Sequence, residues 1–193
     1  MDLLALLRTR RSYRRFAQSR SIPVEALEEI LQSQQYASCS RNIQSLRYIV
    51  VKSPELVEQI YPLVKWAAAL PDDTGRPGPG EYPPLFIVVL DDKRFQNPRT
   101  AINAGLAISN MTLAAWNHGI GSCIIGSVLR APLRKLLNID ENFSILGVVA
   151  FGYPLHASTI QEVAAGESLI YHLDAENNFI VPKMKVKDIV KFI

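Results

Sequence analysis

Apolar positions along this chain follow two rhythms. Ile22, Ala26, Leu27, Ile30 and Leu31 recur three to four apart, the spacing that lines one face of a helix. LRYIVV (46–51), LFIVVL (85–90), SCII (122–125) and ILGVVAFG (145–152) run almost unbroken instead, as buried strands do. Local signals set the ends of the helices. Residues 2–8 read as a short helix with Asp2 as N-cap. Ser21-Ile22-Pro23-Val24-Glu25 starts a second helix with proline in its first turn, and it fades in the polar stretch Gln32–Asn42. Ser53-Pro54 opens a third through Ile60, and residues 130–137 form another.

The longest helical pattern runs from Thr100 to His118. Ile102, Leu106, Ile108, Leu113 and Trp116 are interleaved with Ala101, Ala104, Gly105, Ala107, Ala114 and Ala115. Such a helix, apolar nearly all round, belongs in a core or a tight helix–helix contact, and His118-Gly119 closes it. Residues 65–69 (KWAAA) read as a helical segment. The segment 71–84 holds five prolines and three glycines and is a loop of lid or binding-loop length. After a turn signal at 174–178 comes FIVPKMKVKDIVKFI, an extended piece followed by lysines and a short amphipathic end that docks on the body or on a partner subunit. Helices and strands alternate without a clean βαβ repeat, which favours α+β. No linker divides the chain, so one domain over residues 1–193 is expected.

Composition narrows the classes of function. Hydrophobic residues are 48% and charged residues 20%, the balance of a globular protein. Net charge is only +3, yet residues 1–20 hold six arginines against one acid, Asp2. The basic charge is local, which argues against a dedicated nucleic-acid binder. Two cysteines, Cys39 and Cys123, make no disulfide framework, and no Cys/His cluster has metal-ligand spacing. The apolar LLALL precedes arginines instead of following them, unlike a signal peptide. The apolar runs are too short to span a bilayer. A reducing cytoplasm and no membrane partner are the expectation.

RTRRSYRRF (8–16) carries five of those arginines. A guanidinium donates two parallel hydrogen bonds to a phosphate, and Ser12 adds a neutral donor. The stretch suits one bound phosphate, and equally a solvated basic turn. No aromatic platform accompanies it, so nucleic acid is the weakest of the three readings.

Arg10-Arg11-Ser12-x-Arg14-x-Phe16, followed by a helix and then Ser38-Cys39-Ser40-Arg41-Asn42-Ile43-Gln44-Ser45-Leu46, resembles the FMN-dependent nitroreductase family. KWAAAL (65–70) before a Gly/Pro-rich loop, the Ala-rich helix, GIGSCIIGS (119–127), LRKLLNI (133–139), VVAFGYP (148–154) and VPKMKVKDIV (181–190) come in the order of its short members. The likeness spans essentially the whole chain. There are departures: Ser38 stands where the family has proline, Ser45-Leu46 where it has Pro-Trp, and Ile124-Ile125 where some members carry an acid. They bear on the shape of the substrate pocket more than on the cofactor.

The resemblance implies a mostly antiparallel central sheet flanked by helices, and a homodimer with the Ala-rich helix at its interface. It implies FMN, with NADH or NADPH as hydride donor, a small nitroaromatic, quinone or similar acceptor, and ping-pong exchange carried by the flavin without a catalytic side chain. Arg10 and Ser12 would hold the phosphate with Lys183 or Lys185, and Arg14 would lie at the pyrimidine edge of the ring; Arg11 counts among the cofactor-binding residues, with solvation as its blander reading, as for Arg15. Ser38, Cys39, Ser40 and Asn42 would line the ring and ribityl chain from the partner subunit. The backbone at Ile125-Gly126 would approach N5.

Blander readings stand beside these. GIGSCIIG lacks the sixth-position glycine of a dinucleotide fingerprint. Cys39 and Cys123 read as small packed residues, and Trp66 and Trp116 as core or interface. Lys65 faces either solvent or the flavin, and Arg76 is a candidate for a 2′-phosphate that no spacing supports. A flavin-binding storage or sensor protein without NAD(P)H turnover is the alternative function.

Overall fold

The computed structural model describes residues 2–71 and 73–193; Asp72, within the expected loop 71–84, lies outside the described residues. Strand β2 (Leu85–Asp92) organises the rest, because its residues are buried on both faces. Leu85, Ile87 and Val89 pack in one cluster with Ala26 and Ile30 of α2 (Val24–Ser33) and Ala104, Ile108 and Met111 of α4 (Thr100–Asn117). Phe86, Val88 and Leu90 pack in the other with Val57 and Ile60 of α3 (Pro54–Ile60), Trp66, and Leu133 of α5 (Arg130–Leu136). An alternating strand has one face per parity, so a strand sandwiched between two layers reads as a continuous apolar run.

β2 is flanked by β1 (Leu46–Val51) and β4 (Phe143–Gly152), and β4 in turn pairs β3 (Gly121–Ile125). The order is β1-β2-β4-β3, all antiparallel. A second sheet, ordered β5-β7-β6, holds β5 (Ser158–Val163), β6 (His172–Leu173) and β7 (Phe179–Met184). β7 runs parallel to β5 and antiparallel to β6. The chain is α+β, with a mostly antiparallel sheet between helical layers.

Several expected elements fall into place for the expected reasons. Ser53 Oγ accepts the Leu56 N–H at 3.4 Å with Pro54 behind it, a capped start for α3. α4 ends where Gly119 takes a left-handed φ of +69°. The turn at 174–178 is an Asx turn: the Asp174 carboxylate accepts the N–H groups of Glu176 and Asn178.

Other expectations need correction. Residues 65–69 are not helical. Val64 bridges Val128, Lys65 N–H donates to Ser127 C=O, and Ala67 adopts φ +43°, so pairing with a distant strand end overrides local helix propensity. Asp2 sits at the start of α1 (Leu3–Thr9), but its side chain caps nothing. Pro23 is the N-cap of α2 and not a residue of its first turn. β1 is an edge strand, only partly buried.

Candidate functional site

Residues 12–16 follow α1; Ser12 and Tyr13 pair with Ser122 of β3, and Arg15 and Phe16 pair with the chain just beyond β4. Ser12 bridges Ser122, the Tyr13 N–H donates to Ser122 C=O at 2.8 Å, and Phe16 bridges Pro154. Leu155 N–H donates to Arg15 C=O and Ala17 N–H to Tyr153 C=O. Gly121 explains the close fit: a Cβ there would lie 2.7 Å from Pro154 and 2.8 Å from the Tyr13 ring. The glycines of 119–126 therefore end a helix and admit Tyr13, and they build no phosphate loop.

This lacing holds the arginines in place around a gap in their hydrogen bonding. Arg10 Nε, Arg11 Nε, Arg14 Nη1 and Arg15 Nε are sealed from water and bond to nothing among the described residues. Burial and then the neighbouring Arg10 charge lower Arg11 from its ordinary value. Buried donors without acceptors are costly, and like charges without a counter-ion add to that cost. An anion within reach of these nitrogens would relieve both. The donor set thus fits the phosphate of FMN.

Arg14 is the most confined of the group, 8% exposed. Its guanidinium carbon lies 4.4 Å from the centre of the Phe179 ring and 4.6 Å from that of Tyr171. Its backbone N–H donates to His156 Nε2 at 2.9 Å, while His156 Nδ1 meets Ala157 C=O at 2.8 Å. Nε2 accepts, so Nδ1 carries the proton and the ring is neutral. Burial, then the Arg15 and Arg14 charges, push His156 down to about 4. Tyr171, Phe179 and His156 escaped sequence reasoning. They stand 142 to 165 residues beyond Arg14, and only the histidine carried any visible chemical signal.

Ser38, Cys39 and Asn42 line a cavity of about 420 Å³ with Gln44, Tyr48 and Asn103. Asn103, a polar residue buried on an apolar helix, shapes this loop. Its Oδ1 accepts the Ser40 N–H at 3.1 Å and its Nδ2 reaches Cys39 Sγ at 3.3 Å. The arginine segment instead meets the far end of α4, where Trp116 Nε1 donates to Thr9 Oγ1 at 2.8 Å. Thirteen residues of helix separate Asn103 from Trp116, roughly 20 Å at 1.5 Å per residue. One chain does not bring the two sets together.

Ile125 is buried at the end of β3, and the space beside Gly126 is open, with nothing within 4 Å of where a Cβ would stand. Beyond it lies a groove of about 300 Å³ holding Lys65, Trp66, Arg76 and Ser127. Lys183 and Lys185 ride at the far end of β7, paired there with β5, the strand that α1 touches. Cys123 is buried, and burial pushes its thiol up, which leaves it inert.

The Nitroreductase family model matches residues 7–153. A protein of Archaeoglobus fulgidus, provisionally named NADH dehydrogenase/NAD(P)H nitroreductase, is 30% identical over 79% of this chain and 86% of its own. A protein of the same provisional name from Methanothermobacter thermautotrophicus is 27% identical over 80% and 78%. Among solved structures, an FMN-dependent nitroreductase of Clostridium difficile superposes with a TM-score of 0.67 at 23% identity, covering 81% of this chain and 90% of that one. A nitroreductase family protein of Clostridium novyi gives a TM-score of 0.69 at 20% identity over 80% and 86%. At these identities the superpositions establish the fold.

Proposed function

We propose, for a chain that belongs to the nitroreductase family, an NAD(P)H-dependent oxidoreductase that uses FMN and serves a small nitroaromatic, quinone or similar acceptor. The observation that carries this reading is the set of buried arginine nitrogens without acceptors at 10, 11, 14 and 15, donors of the kind an anion satisfies. When bound, FMN supplies the hydride chemistry. The chain's own residues do the rest. Arg10, Arg11 and Ser12 hold the phosphate with Lys183 or Lys185. Arg14, fixed by Tyr171 and Phe179, supplies positive charge at the pyrimidine edge. Gly126, with open space where a Cβ would stand, leaves the backbone after Ile125 free for close approach. No side chain is needed as acid, base or nucleophile.

The working unit in this reading is a two-fold dimer of single-domain chains. Ile102 and Leu106 of α4 are 57% and 42% exposed, and Leu3, Leu4 and Leu7 of α1 are exposed too. A C₂ partner packed on α4 would bring its Ser38, Cys39, Ser40 and Asn42 to the arginines that its own chain leaves roughly 20 Å away. Two free cysteines suit a reducing cytoplasm. Among the described residues, no helix is long and apolar enough to cross a membrane.

An anaerobic visible spectrum before and after NADH or NADPH tests the proposal. A flavin spectrum that bleaches supports it. A flavin spectrum that stays moves the protein to flavin storage or sensing, and protein left colourless by excess FMN overturns it.

A further inference from the structure

The groove beyond Gly126 has fixed walls. Val64 bridges Val128, Lys65 N–H donates to Ser127 C=O at 3.0 Å, and Leu129 N–H donates to Leu63 C=O at 2.8 Å. Its charges are placed unevenly on this frame. Arg76 is held by Nε to Tyr61 Oη at 2.5 Å and by Nη1 to Asp73 at 3.1 Å, with its guanidinium 4.7 Å from the Tyr61 ring centre. These bonds use two of the five guanidinium donors. Lys65 is exposed and forms no ion pair among the described residues. Among the described residues that line the groove, Asp73 offsets one of the two positive charges and leaves the other unbalanced. Trp66, 3% exposed, also lines it, and its indole N–H is buried without a partner.

We infer that this groove receives the anionic group of a planar redox partner, a sulfonate, carboxylate or phosphate, between Lys65 and Arg76. This rests on the function proposed above and narrows its substrate class. Ser127, the residue after Gly126, lines the groove; with the backbone at 125–126 at N5, as proposed above, a planar molecule that reaches the flavin from this groove would carry its charge towards Lys65. A neutral partner leaves the ammonium and the guanidinium facing water and gains nothing from them. Two sources share the chemistry: an aromatic acid acting as acceptor, or the 2′-phosphate of NADPH.

The test uses the FMN-loaded protein in a Trp116→Phe background, so that fluorescence reports Trp66. Binding of 1,4-naphthoquinone-2-sulfonate is compared with that of 1,4-naphthoquinone, and NADPH with NADH. One charge-assisted contact is worth ten- to a hundredfold in affinity. The expected result is at least a tenfold preference for the charged member of one pair. It is abolished by Lys65→Met and reduced by Arg76→Met, and Lys65→Arg restores it. A preference for the sulfonate names the aromatic acid, and a preference for NADPH names the nucleotide phosphate. Equal binding within both pairs overturns the inference, as does a preference that survives Lys65→Met. The visible spectrum of the same samples separates the two levels: yellow, NADH-bleachable protein without a charge preference sinks only the groove, and colourless protein sinks the wider reading with it.

Discussion

The Arg14 guanidinium carbon stacks 4.4 Å from the centre of the Phe179 ring, and this contact ties the N-terminal arginine segment to the C-terminal sheet. Phe179 is fully buried and also stands 4.9 Å from the His156 ring. A Cβ on Gly75 would come within 2.8 Å of it. One phenyl ring therefore touches the arginine segment, its histidine support and the loop that carries Arg76.

Phe179→Ala should cost about 3–5 kcal/mol of stability, the range for emptying a buried aromatic site. It should also loosen Arg14. Phe179→Leu should recover most of the stability without the cation–π contact. Denaturant unfolding of the two variants, with flavin affinity measured in parallel, checks both statements: loss of affinity in the leucine variant isolates the positioning of Arg14 from simple packing.

Arg10→Ala with Ser12→Ala should weaken FMN binding by roughly 3 kcal/mol or more, since hydrogen bonds to a charged group are worth about 1.5–3 kcal/mol each. Fluorescence titration of stripped protein with FMN measures it. Unchanged affinity would remove these residues from the phosphate site.

His156 gives a pH dependence with a definite sign. Its value is lowered from 6.5 to about 4 on folding, so the unfolded chain binds the proton first. Stability is intact above pH 6.5 and is lost as pH falls from 6.5 towards 4, levelling off below that. At about 1.4 kcal/mol per unit the total is about 3 kcal/mol. Melting temperature followed across that window should fall in the native protein and stay flatter in His156→Gln; parallel curves would exclude His156 as the cause.

Gly121→Ala should destabilise by about 1–3 kcal/mol through overpacking, because the new methyl meets Tyr13 and Pro154 closer than 3 Å. Gly126→Ala, with open space around it, should leave stability nearly unchanged and lower flavin affinity. Thermal melts of both, with and without FMN, separate packing from binding.

Leu106→Asp should convert the proposed dimer to monomer and release flavin together with it, since each site would lose the partner's residues 38–42. Light scattering coupled to gel filtration decides this, and a stable flavin-loaded dimer of the variant would place the interface elsewhere.

Much of this architecture was legible in the sequence because it rests on local signals. The run 85–90 declares burial on both sides and Ser53-Pro54 declares a cap; the helix 100–117, apolar nearly all round in sequence, buries one face and leaves Ile102 and Leu106 exposed. Residues 65–69 misled because alanines favour a helix, whereas Val64 and Lys65 are claimed by Val128 and Ser127 some sixty residues away. β5 escaped because STIQEV is mostly exposed and its pairing with β7 is long-range. The arginine cluster was visible as five cations in nine residues. What holds Arg14, two aromatic rings and a histidine from the other end of the chain, had no local signature.

Because Ser12 bridges Ser122 and the Tyr13 N–H donates to the Ser122 carbonyl, the arginine segment also guards part of a sheet edge. Without it, β3 would present the Ser122 carbonyl unpaired, beside Ile124, which is half-exposed already, and unpaired strand edges template strand-to-strand association. Four buried arginine nitrogens lacking acceptors make that guard weakest when no anion is bound. Filling the site would thus protect the protein from self-association as well as equip it for catalysis, and cofactor supply would govern how long the chain survives in a crowded solution.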